Sequence, residues 1–303
     1  MAASGEHRLD HPVGSHPIEI PALMRRYGLH ADKRLGQNFL VDIDSLHKVV
    51  EAASLDPQDR VLEIGAGLGN LTRLLATQVS YVVAVELDTR LLPPLQEVLA
   101  PFTNIKIIAG DILALDPGEF FKDEDSDTGH YLVVANIPYY ITSAVMRHLL
   151  EARPQPDRMV LTIQHEVAER ICAAPGDLSL LALSVQVYGK PRIMARLPAG
   201  AFYPPPKVDS AVIRVDMYAK SVIPPAQIEL FFRLAKAGFS QKRKTIRNAI
   251  AGSLAYSTQS VEALLRSAGI EPSRRAETLD LEEWSRLTEE YMIMNKEASA
   301  KRL

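Results

Sequence analysis

The stretch VLEIGAGLGNLT at residues 61–72 decides the fold predicted for this chain. It begins as an apolar run, passes through three glycines with the spacing GxGxG (Gly65, Gly67 and Gly69), and continues into residues that suit a helix from about Asn70. Glycines let a backbone turn sharply and approach a ligand closely, so a strand, a glycine loop and a helix in this order favour a nucleotide-type cofactor site. A tight turn without a ligand is the alternative, and the spacing differs from the GxGxxG of dinucleotide-binding proteins.

Runs with strand character alternate with longer helical stretches on either side of the glycine loop. These runs are RVLEIG (60–65), YVVAVE (81–86), NIKIIAG (104–110), YLVVAN (131–136) and RMVLTIQ (158–164). Strands that alternate with helices predict an α/β fold, with a mostly parallel sheet covered by helices on both faces. Two further strands are predicted at 191–197 and 210–215, joined by a loop that contains the prolines at 204–206.

The pattern changes near the end of the predicted sheet. After VIPPAQ (222–227) the chain is helical and polar, whereas residues 1–20 have the composition of a disordered tail. We therefore predict a disordered tail at 1–20, an α/β domain at 21–220 and a small all-α domain at 221–303.

The bulk composition is that of a soluble globular protein, with 47% hydrophobic and 23% charged residues. Cys172 is the single cysteine, which excludes an internal disulfide framework and a cysteine-rich zinc site, and no HExxH-type spacing is present. We therefore predict no metal site. Apolar stretches are strand-sized and the first residues lack a hydrophobic core, so we expect a cytoplasmic protein without a membrane span or secretory signal, and a monomer.

Positive charge is concentrated in one segment, although the net charge of the chain is only −3. Residues 231–250 contain no acid and six basic residues: Arg233, Lys236, Lys242, Arg243, Lys244 and Arg247. Such a local basic surface predicts a polyanionic partner, with a solvated helix face as the alternative.

Polar side chains follow three of the predicted strands at the point where each strand ends. Glu86 comes about 20 residues after the glycines, where an acid can accept hydrogen bonds from both hydroxyls of a ribose. Asp111 ends the next strand and is suited to an adenine amino group, and Asn136 ends the one after it. Because open α/β sheets bind ligands at the carboxyl ends of their strands, these positions predict one shared site.

The sequence NIPYY at 136–140 follows a run of core residues directly. Asn and Pro are common where strands end in turns, and a turn is the simpler interpretation. The alternative is a pocket that holds a planar amine between an amide, a carbonyl and an aromatic ring.

The whole set of motifs resembles a known family. The motifs are GQNFL (36–40), VLEIGAGLGNLT (61–72), VELD (85–88), GD (110–111), NIPYYIT (136–142), FYPPPKVDSAV (202–212) and QKRKTIRN (241–248). In this order and at these spacings they look like the ribosomal-RNA adenine N6,N6-dimethyltransferases that act on the small subunit. The likeness extends over residues 30 to 285.

This resemblance implies a Rossmann-like class I methyltransferase domain that uses S-adenosylmethionine, followed by a small all-α domain that helps to bind RNA. Matched residue by residue, it assigns cofactor contacts that include two residues which spacing alone does not indicate. With Gly67 of the glycine loop, the predicted cofactor-binding residues are Asn38, Leu40, Gly65, Gly67, Glu86, Asp111 and Asn136. Tyr140 stands where many relatives have Asn, and we expect it only to line the site.

The same resemblance suggests how NIPYY acts on an adenine. The Asn136 side-chain oxygen and the Pro138 carbonyl would accept the two N–H groups of the amine, and proline fixes the direction of its carbonyl. Tyr139 would stack on the extruded base, and Phe202 would cover its other face. Lys207 and the basic residues Lys236, Lys242, Arg243, Lys244 and Arg247 would contact phosphates.

The implied substrate is a pair of adjacent adenosines in the 3′-terminal hairpin of small-subunit rRNA, within an immature small ribosomal subunit. One alternative is a relative that methylates an adenine of large-subunit rRNA and confers antibiotic resistance. KRKTIRN (242–248) and FYPPPKVDSAV (202–212) favour the small-subunit branch. A second alternative is a binding module that retains the fold and transfers no methyl group.

Overall fold

The computed structural model describes residues 18–121 and 129–300. Residues 1–17 of the predicted disordered tail lie outside the described residues. Ile20, the last residue of the predicted tail, begins the first helix and is buried against Leu68 and Leu91.

The described residues form a sheet region followed by a helical region. The strands are β1 Phe39–Leu40, β2 Arg60–Ile64, β3 Tyr81–Glu86, β4 Ile105–Ala109, β5 Leu132–Asn136, β6 Arg158–Gln164, β7 Gly189–Leu197, β8 Phe202–Tyr203 and β9 Ser210–Met217. The α-helices are α1 Ile20–Arg26, α2 Ile43–Ala53, α3 Asn70–Ala76, α4 Leu92–Leu99, α5 Thr142–Glu151, α6 His165–Ile171, α7 Leu180–Gln186, α8 Ile228–Gly238, α9 Ile246–Leu254, α10 Thr258–Ser267 and α11 Leu281–Ala300.

The main sheet has seven strands in the order β4-β3-β2-β5-β6-β9-β7. The first five in this order run parallel, and β9 is antiparallel to both β6 and β7. The predicted mostly parallel α/β sheet is therefore confirmed, as is a helix that begins at Asn70.

Both faces of the sheet are covered, as the continuous apolar strands predict. Neighbouring residues of β2 point to opposite sides: Val61 packs with α2 and α3, whereas Leu62 packs with α5 and α6. Because the carboxyl ends of the parallel strands meet at one edge, the residues after β2, β3, β4 and β5 are brought together there.

A short two-stranded ribbon lies apart from the main sheet. β1 pairs antiparallel with β8, so that Phe39 is opposite Tyr203 and Leu40 is opposite Phe202. This ribbon joins residues 39–40 to the residues just before the prolines at 204–206, although the two segments are far apart in sequence.

The helical region has its own apolar core around Trp284, which is fully buried. The ring of Trp284 stacks on Phe239 with 5.9 Å between centroids and meets Phe231 edge-on at 6.4 Å. The predicted boundary near residue 220 falls between β9 and α8, but Leu183 of α7 also belongs to this core. The division into separate domains at that residue stays a prediction. In the part of the chain that the structure describes, no helix has the length and apolarity to cross a membrane.

Gly238 lies against Trp284, so a substitution at Gly238 tests the packing of the helical core. A Cβ atom there would come within 2.8 Å of the Trp284 ring, so we expect Gly238→Ala to lower the free energy of unfolding by about 1 to 3 kcal/mol. Gly252→Ala in α9 is the control, because its added Cβ meets nothing closer than 3.6 Å and alanine favours the helix. Urea unfolding measures both, and equal stability of the two variants would contradict the packing described.

Candidate active site

The glycine loop after β2 turns back along the sheet edge in a conformation that requires glycine. Gly65, Gly67 and Gly69 have φ angles of 75°, 59° and 86°. The Gly65 and Ala66 N–H groups both donate to the Val85 carbonyl, at 2.9 and 3.2 Å. A Cβ on Gly67 would lie 3.1 Å from the ring of Phe39. The loop therefore brings bare backbone to the edge where β3 ends.

A cavity lies at the carboxyl ends of β2, β3, β4 and β5, and we call it the sheet-edge cavity. Eight of the predicted site residues line it: Asn38, Gly65, Gly67, Glu86, Asp111, Asn136, Pro138 and Tyr139. Gln37, Leu87, Ile112 and Tyr140 also line it. The structure thus gathers residues from separate loops into one space, as the strand-end pattern predicts.

Glu86 is fixed by backbone groups at the end of β3. Its Oε2 accepts from the Gly67 N–H at 2.7 Å, and its Oε1 accepts from the Asp88 N–H at 2.8 Å. Burial raises the pKa of this carboxyl, while the two N–H groups oppose that shift. Each oxygen keeps a second lone pair, so the carboxylate can also accept from a pair of ribose hydroxyls.

Asp111 presents one open oxygen on the same edge. Its Oδ1 accepts from the Leu113 N–H at 3.0 Å in the turn that follows Gly110. The residue is exposed to solvent, and Oδ2 has no hydrogen-bond partner among the described residues, so it can accept from an exocyclic amine.

Glu63 is a buried acid that the sequence reasoning did not assign to the site. It is only 2% exposed, near the end of β2, and burial raises its pKa to about 8. The Thr72 side chain opposes this shift, and the carboxyl of Glu86 adds to it. An acid two residues before the first glycine was the signal in the sequence.

A second, small cavity of about 30 Å³ lies beside Glu63, and we call it the small cavity. Leu40, Asn70 and Asn136 line it together with the glycine loop. The Glu63 Oε2 and Asn70 Oδ1 atoms are buried there with no hydrogen-bond partner among the described residues. Two acceptor oxygens beside a glycine loop suit an ammonium group, whose positive charge would favour the ionised form of Glu63. Leu40 therefore adjoins the site through the small cavity, while its carbonyl accepts from Asn70 Nδ2 at 2.9 Å.

The amide of Asn136 is held in one orientation at the end of β5. Its Nδ2 donates to the Asn38 carbonyl at 3.0 Å, across 98 residues of sequence. The side-chain oxygen is thereby left available as an acceptor, on a residue that lines the sheet-edge cavity. The Pro138 carbonyl accepts from the Ile141 N–H at 3.1 Å, which fixes its direction and leaves one lone pair.

Tyr139 is half-buried, and its ring position is set by the end of the sheet. Its hydroxyl shares a hydrogen bond of 2.6 Å with the Oγ of Ser210, a fully buried residue at the start of β9. Burial raises the pKa of the Tyr139 hydroxyl. Tyr140 is 60% exposed at the mouth of the cavity, consistent with a lining residue.

The structure does not bring Phe202 to the sheet-edge cavity. Its side chain is 3% exposed and packs in the core with Leu40 and Leu197, because the register of β8 against β1 turns it inward. The predicted cover for the second face of a base is thus absent at Phe202 in this structure. The next residue, Tyr203, is 40% exposed.

The predicted basic residues occupy different settings. Lys242, Arg243 and Lys244 are exposed on the loop between α8 and α9, and Lys207 is exposed on the loop before β9. Arg247 instead donates from Nη1 to Glu262 Oε2 at 2.9 Å, so its charge is paired.

Lys236 lines a groove of about 850 Å³ between α5 and α8, which we call the α5–α8 groove. Arg147 and Arg233 also line it, above the apolar side chains of Leu150 and Phe232. Glu151 and Glu229 line it too, and Glu151 pairs with Arg147 at 3.0 Å, so the sheet region and the helical region share a groove of mixed charge.

A model of the family described as "Ribosomal RNA adenine dimethylase" matches residues 28–293. The chain belongs to this family. It is 48% identical over 265 residues to Ribosomal RNA small subunit methyltransferase A of Dehalococcoides mccartyi, which covers 88% of this chain and 90% of that protein. With the protein of the same name from Moorella thermoacetica it shares 40% identity over 278 residues, or 90% of this chain and 96% of that one.

Two solved structures resemble this adenine dimethylase over most of its length. A dimethyladenosine transferase from Plasmodium falciparum is 25% identical with a TM-score of 0.72, covering 86% of this chain and 98% of that one. The 23S rRNA methyltransferase ErmE is 30% identical with a TM-score of 0.67, covering 84% and 99%. The Rossmann-like class I methyltransferase fold predicted from the motifs is therefore confirmed.

The buried acid of this adenine dimethylase makes the stability of the cofactor-free protein depend on pH. The pKa of Glu63 is about 8 in the folded chain against an ordinary 4.5, so the folded state binds the extra proton between these values. The free energy of unfolding should therefore fall as pH rises through this window, by about 1.4 kcal/mol per unit from this group. Glu63→Gln stays neutral and should lose this slope in urea unfolding from pH 5 to 9.

The control for this measurement is Glu51→Gln, which removes the same charge from an exposed face of α2. Its stability should run parallel to that of the wild type across the pH range. A Glu63→Gln curve that also runs parallel would show that Glu63 is not protonated in the folded chain.

Proposed function

We propose that this adenine dimethylase transfers methyl groups from S-adenosylmethionine to the N6 amines of two adjacent adenosines in the 3′-terminal hairpin of small-subunit rRNA, within an immature small subunit. One observation carries the proposal. The Asn38 carbonyl holds the Asn136 amide by its nitrogen, which leaves the oxygen available as an acceptor, and Asn136 and Glu86 both line the sheet-edge cavity. An acceptor for an amine and an acceptor for a ribose thus share one space.

The residues around the glycine loop fit S-adenosylmethionine from end to end. Glu86 suits the ribose hydroxyls, Asp111 suits the adenine amino group, and Glu63 with Asn70 suits the ammonium of the methionine part. Gly65 and Gly67 leave room for the backbone to approach it. When bound, the cofactor supplies an electrophilic methyl group on a sulfonium.

Asn136 and Pro138 act on the substrate amine. The lone pair of an adenine N6 amine is delocalised into the ring, which makes the nitrogen planar and a poor nucleophile. The Asn136 side-chain oxygen and the free lone pair of the Pro138 carbonyl accept its two N–H groups, and this favours a pyramidal nitrogen. Both acceptors are fixed in advance by protein hydrogen bonds, so alignment rather than acid–base chemistry supplies much of the rate.

Tyr139 holds the base while the amine reacts. An adenine must leave its stack before its amine reaches the cavity, and a ring anchored through Ser210 offers a stacking surface worth about 1 to 3 kcal/mol. An amide and a peptide carbonyl do not take up protons at neutral pH. The proton of the methylated amine therefore leaves to water.

The RNA surface extends from this cavity to the helical region. Helix α5 begins directly after the NIPYYI loop and continues into the α5–α8 groove, where Lys236 lies. The exposed cations Lys207, Lys242, Arg243 and Lys244 add charge on either side. Phosphate contacts of this kind give affinity without sequence choice, so shape and extruded bases select the hairpin.

Large-subunit rRNA is the second candidate substrate, since the structure resembles that of a 23S rRNA methyltransferase. The relatives named for the small subunit are more similar, at 40% and 48% identity against 30%. These identities favour the small-subunit substrate.

Replacing Asn136 by alanine tests the proposed amine pocket. We expect wild-type protein to transfer labelled methyl groups to small subunits that lack adenine dimethylation, giving dimethyladenosine at adjacent positions. Asn136→Ala should reduce turnover by about 100-fold to 1000-fold, because it removes a preorganised acceptor, with thermal unfolding as the check on folding. Undiminished turnover in a folded Asn136→Ala protein would exclude the proposed mechanism.

The same assay separates the candidate functions. Label on large-subunit RNA instead of small-subunit RNA would support the second candidate. RNA binding without any methylated product would indicate a binding module.

Removing charge from the α8–α9 loop tests the proposed RNA surface. Lys242→Gln with Lys244→Gln should weaken binding to the small subunit and make log Kd less steep against log salt, by about 0.7 to 0.9 for each phosphate that the loop no longer neutralises. The matched control is Lys48→Gln with Lys106→Gln, which removes two exposed positive charges elsewhere. Equal salt slopes for the two double variants would rule out phosphate binding by this loop.

A further inference from the structure

Residues 32–40 form part of the wall of the sheet-edge cavity, and we call them the clasp. Five consecutive members of the clasp line the cavity: Leu35, Gly36, Gln37, Asn38 and Phe39. A backbone segment that lines a ligand site must be held in place by something other than the ligand if the site is to be preformed.

Gln37 is the side chain that ties the clasp to the rest of the site. Its Nε2 donates to Asp88 Oδ2 at 2.8 Å, and its Oε1 accepts from the Asp32 N–H at 2.7 Å. One amide therefore closes the clasp on itself and joins it to the loop after β3, across 51 residues of sequence.

Asp88 is a firm anchor for this amide. It is 7% exposed, and Arg90 donates to it from its backbone N–H, Nε and Nη2. The hydrogen bonds from Arg90 and Gln37 lower the pKa of the Asp88 carboxyl, so it stays charged at neutral pH. The Asp88 N–H in turn donates to Glu86, the acid that faces the cavity.

The residues next to Gln37 contact the amine pocket. The Asn38 carbonyl accepts from Asn136 Nδ2 at 3.0 Å. On the other side, a Cβ atom on Gly36 would lie 3.1 Å from the Tyr140 ring and 3.4 Å from Pro138. The clasp therefore touches both the loop that ends β3 and the loop that ends β5.

We infer that Gln37 is a positioning residue, whose amide locks the clasp onto Asp88 so that the Asn38 carbonyl holds the Asn136 amide toward the substrate amine. The inference rests on the proposed function. Three hydrogen bonds form a path from the cofactor side to the acceptor side: the Asp88 N–H donates to Glu86, Gln37 donates to Asp88, and Asn136 donates to the Asn38 carbonyl. Gln37 and Asn38 are neighbours in the chain, which completes the path.

An exchange of the two side-chain types tests this path. In Gln37→Glu, one carboxylate oxygen can still accept from the Asp32 N–H, but the other faces the Asp88 carboxylate. In Asp88→Asn, the new amide faces the amide of Gln37. The double variant Gln37→Glu/Asp88→Asn restores a donor opposite an acceptor. Gln78→Glu is the control, because it adds the same charge at an exposed position outside the site.

The measured quantities are Kd for S-adenosylmethionine by calorimetry, kcat and KM for methyl transfer to the small subunit, and Tm. Loss of a buried hydrogen bond to a charged group corresponds to at least about a ten-fold effect. We expect Gln37→Glu and Asp88→Asn each to raise Kd and lower kcat by at least about ten-fold with an unchanged KM for RNA. The double variant restores the contact with residue 37 but not the Arg90 Nη2 bond to the replaced Oδ2, so it should improve Kd and kcat by at least about three-fold over either single variant, and Gln78→Glu should match the wild type.

Single variants within two-fold of the wild type in Kd and kcat would overturn the inference. A double variant that recovers Tm but neither Kd nor kcat would also overturn it, because Gln37 would then serve stability alone. A wild-type protein that binds S-adenosylmethionine but methylates no rRNA would refute the proposed function, and the Kd cycle would still decide whether Gln37 locks the clasp.

Discussion

The hydrogen bond from the Asn136 amide to the Asn38 carbonyl is the contact on which the site depends. It joins the clasp to the end of the central strand β5. Without it the amide would be free to rotate, and its oxygen would not stay on the cavity. The parallel sheet makes this bond possible, because it delivers the ends of β2, β3, β4 and β5 to one edge.

Two buried carboxyls give the site an electrostatic character suited to a cation. Glu63 and Glu86 both lose hydration at the end of the sheet, and burial raises the pKa of each. Glu86 receives two backbone N–H groups, whereas the Oε2 of Glu63 receives none among the described residues. A ligand with an ammonium group at one end and a ribose at the other would suit both carboxyls, because the ammonium would bind Glu63 and the ribose hydroxyls would donate to Glu86.

The sequence predicted the layout of the site better than the orientation of its side chains. Apolar runs and the glycine spacing are local signals, so the strands and the helix at Asn70 were predictable from them. Asn38 could be predicted as a site residue only from the family resemblance, since its partner Asn136 lies 98 residues away. The buried position of Phe202 was not predicted, because a two-residue strand gives no pattern from which to infer its register. The pairing of Arg247 with Glu262 depends on how two helices pack, which a run of basic residues does not reveal.

The ribbon of β1 and β8 ties together two segments that are far apart in the chain. It pairs Phe39 and Leu40, at the end of the clasp, with Tyr203 and Phe202, just before the loop that carries Lys207. A shift of either strand therefore moves the other, so the backbone that lines the cavity and the loop that carries Lys207 are mechanically connected.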